Sequence, residues 1–443
     1  MNDLQSLPNV SIILIDDLGR GDLGCYGNDV IQTPHLDYLA AQGMRLTDAY
    51  SAGPMCSPSR AGLLTGRAPN RSGVYDWIPP DHFMYLPQSE ITMAQLLLDA
   101  GYQTCHVGKW HLSWITEAPE QPQPDDYGFE FWFSSQTNHP HRHPTDFYKN
   151  GKPVGKIEDY SCQIVTREAL NWLRDLRNPG KPFFQFVCYH EPHEHIEPPP
   201  EWEDQYAKHG VKAPYYATVA HLDDAIGTYL SALDEMGLAQ NTLLIFTVDH
   251  GPARFNWGVF ERSFGTPGPF RGYKRQLYEG GIRVPMLIRW PGHTKPRQVV
   301  SEPICGTDFL PTICDLIEIP IPDDRTIDGS SFLPLFDGKP IEREIPLHWE
   351  FHHPWSGPQA VLREGDWVIT AKLNTRYPYS GGFKKEFQPH FKYAQLRKFK
   401  LYNLEDDIGQ QNDVAYAYPE RVESMSAKLK SIYREVHEEG PWW

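Results

Sequence analysis

Residues 9 to 17 read NVSIILIDD. An almost continuous apolar run that ends in two carboxylates has the pattern of a central strand covered on both faces, with its polar residues at the carboxyl end. Ligands of open α/β sheets collect at such strand ends. The stretch therefore predicts both a sheet buried between helices and a place to look for chemistry.

Working outward, a helix is expected at about 34 to 42 (PHLDYLAAQ), with Pro34 in its first turn, and another at about 59 to 65. ITMAQLLLDAG reads as a third helix capped by Gly101, and TCHVGKW as a strand. A surface excursion is expected across the Pro-rich SWITEAPEQPQPDDYG and on through NHPHRHPTD. Regular structure resumes with a helix at about 160 to 176, the strand PFFQFVCYH, a helix at about 214 to 235 and the strand TLLIFTVDHG. RVPMLIRWP adds a strand and TDFLPTICDLIEI a helix. Strands alternating with helices predict the α/β class, with a large, mostly parallel sheet sandwiched by helices. QAVLREGDWVITAKL and KFKLYNLEDD read instead as short antiparallel strands, followed by a helix at about 419 to 436. The expected division is a catalytic domain over residues 1–340 and a small antiparallel-sheet subdomain over 341–443.

The chain has 443 residues and a formal net charge of -16, from 57 acidic and 41 basic side chains. That balance argues against a nucleic-acid binder, which needs a basic surface, yet leaves room for a locally positive pocket. No segment approaches the roughly 20 apolar residues of a membrane span. The first residues carry no basic region and no small-residue cleavage site, so no leader is read there. Seven scattered cysteines describe neither a disulfide framework nor a zinc site. Scattered surface aromatics define no oligomer interface.

Three strand ends carry charged clusters: Asp16 with Asp17, Lys109 with His111, and Asp249 with His250. On a parallel sheet these ends share one rim. Lys109 and His111 share a face if their strand persists, whereas Asp16 and Asp17 converge only if Asp17 sits where its strand breaks. Crowded carboxylates need a cation; oxygen ligands suit calcium, or magnesium with its stricter geometry, and the imidazole of His250 is the softer member. Cys56 stands in SAGPMCSPSRAGLLTG, a Gly/Pro/Ser-rich turn leading into an apolar helix. Thiolate catalysis with His111 or His193 as base is one reading of it.

CSPSRAGLLTG, together with PNVSIILIDDLGRGDLGCYG, GYQTCHVGKWHL, VDHG, KRQLYEGGIRVP and LYNLEDD, resembles the type I, formylglycine-dependent sulfatases, of the alkaline-phosphatase-like superfamily. The resemblance runs along essentially the whole chain and is greatest to the arylsulfatase and N-acetylgalactosamine-6-sulfatase branch. It implies that Cys56 is oxidised by a formylglycine-generating maturation enzyme, that Arg60 braces the resulting diol, and that Asp16, Asp17, Asp249 and His250, with the Cys56 position, hold a divalent cation, usually calcium. The family commonly shows Asp-Asn where this chain has Asp249-His250. By the same resemblance Lys109 and Lys274 contact sulfate, His111 lies beside the diol, and His193 lies near the leaving oxygen. His190 and His195 in the same YHEPHEH segment compete with His193 for that place.

The implied activity is hydrolysis of a sulfate ester on a saccharide of the galactose or N-acetylgalactosamine type. Asp76, Trp77, His82, His139, His141, Arg142, His143, Arg254, Trp257 and the stretch HWEFHHPW at 348–355 are candidate rim residues for reading sugar faces and hydroxyls. A phosphomonoester or phosphodiester hydrolase of the same fold, or a catalytically silent sulfated-glycan binder, are the alternatives. A periplasmic or extracellular setting is expected from the family, and a cytoplasmic one from the missing leader.

Overall fold

The structure is a computed structural model that describes residues 7–116, 120–136, 139–254, 262–375 and 382–443. Its main sheet has eleven strands. In chain order these are β1 (Asn9–Ile15), β2 (Met44–Tyr50), β3 (Gln103–Lys109), β4 (Phe131–Ser135), β5 (Tyr148–Lys149), β6 (Lys152–Pro153), β7 (Phe183–Cys188), β8 (Thr242–Val248), β9 (Arg283–Arg289), β10 (Gln298–Val300) and β11 (Ile304–Cys305). Across the sheet the order is β10-β2-β9-β8-β1-β7-β3-β4-β5-β6, with β11 beside β2. The block β8-β1-β7-β3-β4 is parallel throughout. β9 runs antiparallel to both β8 and β2, which returns β2 to the direction of β1.

The apolar run of β1 serves two cores because successive side chains alternate between faces. Val10, Ile12 and Leu14 pack with Leu63, Leu64, Leu97 and Leu310, from the helices Cys56–Thr65, Met93–Asp99 and Phe309–Leu316. Ile13 and Ile15 pack with Leu36, Val165, Leu222 and Ile226, from the helices Pro34–Gln42, Ser161–Asn171 and Ala213–Glu235. Ser11, the one polar residue inside the run, is buried against Tyr229 with the two hydroxyls 2.8 Å apart, so no polar group is left without a partner there.

Several expected elements take a different form. The helix near Cys56 starts at Cys56 itself, three residues before the expected point. The helix expected to reach residue 176 is α-helical from Ser161 to Asn171 and widens into a π turn over Trp172–Leu176. The expected surface excursion holds a helical turn at Pro124–Tyr127, the buried strand β4, and buried His139 and His141. Polar composition misleads in that segment because the imidazoles find internal partners, His139 Nε2 with Ser161 Oγ at 2.7 Å and His141 Nε2 with the His193 carbonyl at 2.7 Å.

The chain then forms a separate four-stranded antiparallel sheet of β12 (Leu347–Glu350), β13 (Ala360–Glu364), β14 (Trp367–Leu373) and β15 (Leu396–Asn403). One face carries Leu362, Ile369 and Leu401 against Leu429 and Val436 of the helix Pro419–Glu439. The other carries Trp349, Val361 and Val368 against Tyr50, Met55 and Leu277. Trp349 also donates its indole N–H to the Ser51 carbonyl at 2.8 Å. The small sheet thus buttresses the loop that delivers Cys56. Among the described residues no helix is long and apolar enough to cross a membrane.

Candidate active site

β1, β2, β3, β7 and β8 all end on one rim, and each sends a chemical group to it. β2 ends at Tyr50, and the loop after it enters the helix Cys56–Thr65, all ten of whose residues are buried. No side chain caps that helix, and Pro58 has no N–H to satisfy. The amino end of the helix, where Cys56 is the first residue, therefore presents free amides and positive dipole that suit an anion.

Asp16 and Asp17 follow β1. Asp17 has φ 65°, so the strand breaks there into a left-handed turn, and adjacent carboxylates that would diverge on a regular strand meet in one cluster. β3 ends at Lys109, preceded by Gly108 at φ 104°; a Cβ on Gly108 would lie 1.9 Å from the Cys188 carbonyl oxygen of the neighbouring strand. The strand does not persist to His111, which has φ 59°, so His111 reaches its place by a turn and not by the expected alternation. Lys274 comes from the opposite direction, in the segment before β9, because that antiparallel strand starts where its neighbours end.

The cluster is tight. Cys56 Sγ lies 3.2 Å from His250 Nε2 and 3.5 Å from Asp16 Oδ1. Lys109 donates to Asp16, and Lys274 Nζ donates to Asp17 Oδ1 at 2.7 Å. Arg60 donates to Asp249 Oδ2 at 3.1 Å and also to the Lys109 carbonyl, so it clamps two of the rim segments together. His193 Nε2 is 3.5 Å from Asp17 Oδ2. His190 instead meets Ser135 Oγ at 3.0 Å, and His195 is exposed, so His193 is the histidine of its segment that reaches the carboxylates.

Burial and charge set the protonation states. Burial pushes Asp16 up, but Lys109 and the other cations around it hold its carboxyl well below the usual range. Burial raises Asp17, against the pull of Lys274. Burial favours neutral His250, yet Asp249 beside it holds the imidazole up at about 9. His111 is driven well below its ordinary value by burial and by Lys109, and His193 likewise by burial and Lys274. His111 Nε2 lies 3.1 Å from the Ile78 carbonyl and so carries the ring proton of the neutral imidazole; among the described residues buried Nδ1 makes no hydrogen bond and keeps its lone pair.

Asp16, Cys56, Asp249 and His250 offer four ligand atoms within 4.8 Å of one another, and Asp16, Asp17 and His193 form a second, overlapping group. The donor set fits a divalent cation on a further count: among the described residues the buried oxygens Asp17 Oδ2 and Asp249 Oδ1 accept no hydrogen bond. His250 Nδ1 faces the Gly251 carbonyl at 3.0 Å, which turns Nε2 towards Cys56 and Asp249.

Beside this cluster lies a buried ionic group that the sequence reading did not assemble. Arg275 meets Asp76 at 3.3 Å and His353 Nδ1 at 3.1 Å. Burial raises Asp76, but Arg275 and the adjacent imidazoles bring it down to about 2. Asp76 and its neighbours are tied to the centre, since Ser57 Oγ accepts from Ile78 N at 3.0 Å and the Trp77 and His111 rings stand edge to face at 6.5 Å. Arg275 was invisible as a candidate because only tertiary contact distinguishes it from an exposed arginine. Of the other rim candidates, His139 and His141 are buried structural groups, Arg142 is exposed, and Trp257 lies outside the described residues.

Residues 8–319 match the Sulfatase family, and the chain belongs to it. It is a sulfuric ester hydrolase with the alkaline-phosphatase-like fold. N-acetylgalactosamine-6-sulfatase of Rattus norvegicus is 34% identical over 366 residues, covering 76% of this chain and 67% of the relative. Steryl-sulfatase of the same organism is 33% identical over 429 residues, covering 77% of this chain and 73% of the relative. Among solved structures, Ps i-CgsB superposes with a TM-score of 0.85 at 26% identity, over 99% of this chain and 95% of that one. It has also been solved with k-i-k-neocarrahexaose.

Proposed function

We propose that this protein hydrolyses an O-sulfate ester of a saccharide, of the galactose or N-acetylgalactosamine type, at a formylglycine formed from Cys56 and a calcium ion held by Asp16, Asp17, Asp249, His250 and the Cys56 position. Magnesium is the second choice of metal. The observation that carries this reading is a buried Cys56 at a helix amino end, 3.2 Å from His250 and 3.5 Å from Asp16, in a cluster whose carboxylates are bonded by two buried lysines. When present, the hydrated formylglycine supplies one hydroxyl to attack sulfur and a second to expel sulfate, while the cation supplies charge to the sulfate oxygens.

The protein's own groups do the rest. Lys109 and Lys274 share their donors with the sulfate oxygens and offset the repulsion those oxygens exert on a nucleophile. Arg60 keeps Asp249 and the Lys109 segment in place, and Asp249 is the partner for the nucleophile's proton. His193 takes up a proton when the anionic sulfate arrives and gives it from Nε2 to the departing alcohol oxygen. His111 Nδ1, with its lone pair free, removes the proton whose loss releases sulfate.

For the saccharide, the support is the rim. Trp77 and Trp355 are half-buried there, able to cover sugar faces, and Asp76, Arg275 and His353 form a polar group beside them. The names of the galactosamine-sulfatase relative and of the oligosaccharide complex point the same way. The reading further entails a formylglycine-generating maturation enzyme as partner, work in the periplasm or outside the cell, and a division into a catalytic domain over 1–340 and a subdomain over 341–443.

The test is mass spectrometry of the peptide across Cys56 after expression with a formylglycine-generating enzyme, followed by a screen of defined sulfated sugars. Conversion of the thiol to the aldehyde or its hydrate, with release of sulfate from a sugar, is expected. Undiminished hydrolysis by a chain whose Cys56 remains a thiol would overturn the nucleophile. Hydrolysis of steroid or phosphate esters in preference to sulfated sugars would overturn the substrate.

A further inference from the structure

A cleft of about 700 Å3 lies between the segment 270–278, which carries Lys274, and the outer part of the small sheet. Five cations line it: Arg254, Arg271, Lys372, Lys398 and Lys400, and among the described lining residues there is no carboxylate. The whole chain carries a net charge of -16, so this wall is a local reversal of sign.

Its cations divide into two kinds. Arg271 is built in: its guanidinium stacks over Tyr278 at 4.0 Å and donates to the Gln410 carbonyl at 2.7 Å. Arg254 lies over the Tyr273 ring at 5.2 Å. The lysines are exposed on adjacent antiparallel strands, β14 and β15; among the described residues Lys372 and Lys398 form no ion pair, and Lys400 meets only Asp413, at 3.6 Å. Lys372 and Lys398 therefore keep donors for an external anion. Arginines held on aromatic rings, with exposed lysines in the same cleft, suit a chain that offers both ring faces and repeated negative charge.

The wall of the cleft also includes the chain neighbours of Lys274 and Arg275. Tyr273 and Gln276, both in its wall, flank Lys274 and Arg275, and the backbone N–H of Lys274 is held by the Pro252 carbonyl at 3.0 Å, two residues from Arg254. Gln276 donates to Ser356, which joins the wall next to Trp355 at the rim.

We infer that this basic cleft binds the neighbouring sulfated sugar residues of an oligosaccharide whose target sulfate lies at Cys56, which makes the enzyme one that acts on a multiply sulfated glycan chain. The inference rests on the proposed saccharide reading and names its substrate as polyanionic. Exposed pairs are individually weak and salt-sensitive, so the contribution of the lysines is expected to appear as a combined, screened effect.

The test compares the parent chain with the triple variant Lys372→Gln, Lys398→Gln, Lys400→Gln. All three side chains are exposed, which protects the fold. In a Cys56→Ala background, which cannot turn over, binding of a sulfated galactan hexasaccharide is measured by calorimetry at low and high salt, alongside the desulfated hexasaccharide. The triple variant is expected to bind the sulfated hexasaccharide about tenfold more weakly at low salt, with the difference shrinking at high salt and absent for the desulfated one. In active protein, the ratio of kcat/KM for the hexasaccharide to that for a monosulfated sugar should fall by a similar factor. Equal binding by parent and variant, equal loss with the desulfated chain, or no binding of either chain would overturn the inference. If no sulfated sugar is hydrolysed but the salt-sensitive difference in binding is found, the saccharide-hydrolase reading falls while the cleft assignment stands.

Discussion

Single residues set the chemistry of this site, through burial and neighbours. Cys56 Sγ lies within 3.5 Å of both Asp16 and His250, so serine there puts a hydroxyl in the same buried place but replaces the thiol that the proposed maturation oxidises. Cys56→Ser is expected to retain ligand binding while steady-state turnover falls on the order of a thousandfold or more. Single-turnover kinetics against steady-state rates check this, and a variant that recycles normally would contradict formylglycine chemistry. Among the described residues the buried oxygens Asp17 Oδ2 and Asp249 Oδ1 accept no hydrogen bond, and the proposed cation would satisfy them. Treatment with a chelator is expected to lower both the melting temperature and the activity, and calcium to restore both. Differential scanning calorimetry with and without added metal reads the first effect independently of activity.

Individual elements position those residues at measurable cost. Gly108 precedes Lys109 at φ 104° and presses on the Cys188 carbonyl, with 1.9 Å left for a Cβ. Gly108→Ala is expected to destabilise the fold by roughly 3 kcal/mol through backbone strain and a forced shift of β3 against β7. Urea denaturation measures the loss, and catalysis should suffer as well because Lys109 moves away from Asp16. The strands best read from the sequence were those whose apolar runs are long, β1, β7 and β8, since burial on both faces leaves an unmistakable pattern. β2, with Arg45, Thr47 and Asp48 in its span, and β4, inside a polar stretch, escaped that reading. Their polar side chains find partners elsewhere in the fold, Asp48 with Arg283 and Arg363, Ser134 with His106, a pairing that no local pattern records.

At the scale of the molecule, ionic groups bind the rim to the small sheet. Asp76 lies just before Ile78, which bonds Ser57, Arg275 follows Lys274, and His353 lies between β12 and β13, so this one cluster joins three distant parts of the chain. Because Asp76 in the folded protein titrates at about 2, below its ordinary 3.8, its contribution is present above pH 4 and is lost as pH falls from there towards 2. The size is about 2 kcal/mol by linkage for this fully buried group. Asp76→Asn should therefore be destabilised at neutral pH, with the difference from the parent narrowing towards pH 2. Denaturant titrations across that range test it, and a difference that is constant with pH would show that the carboxylate's charge is not what Asp76 contributes.

The sequence alone determined the α/β class, the rim at the carboxyl ends of the strands, and the family to which CSPSRAGLLTG and VDHG point, because hydrophobic periodicity and short contiguous motifs are local properties of a chain. Whether Asp16 and Asp17 converge was left open by the residues themselves, and the left-handed turn at Asp17 decided it. His193 rather than His190 or His195 reaches the carboxylates, the strand stops before His111, and Asp76, Arg275 and His353 meet, all by tertiary structure. The physical reason is the same in each case: the energy of a buried charge depends on which groups lie within a few ångströms, and residues hundreds of positions apart become such neighbours only when the sheet and its flanking layers are assembled.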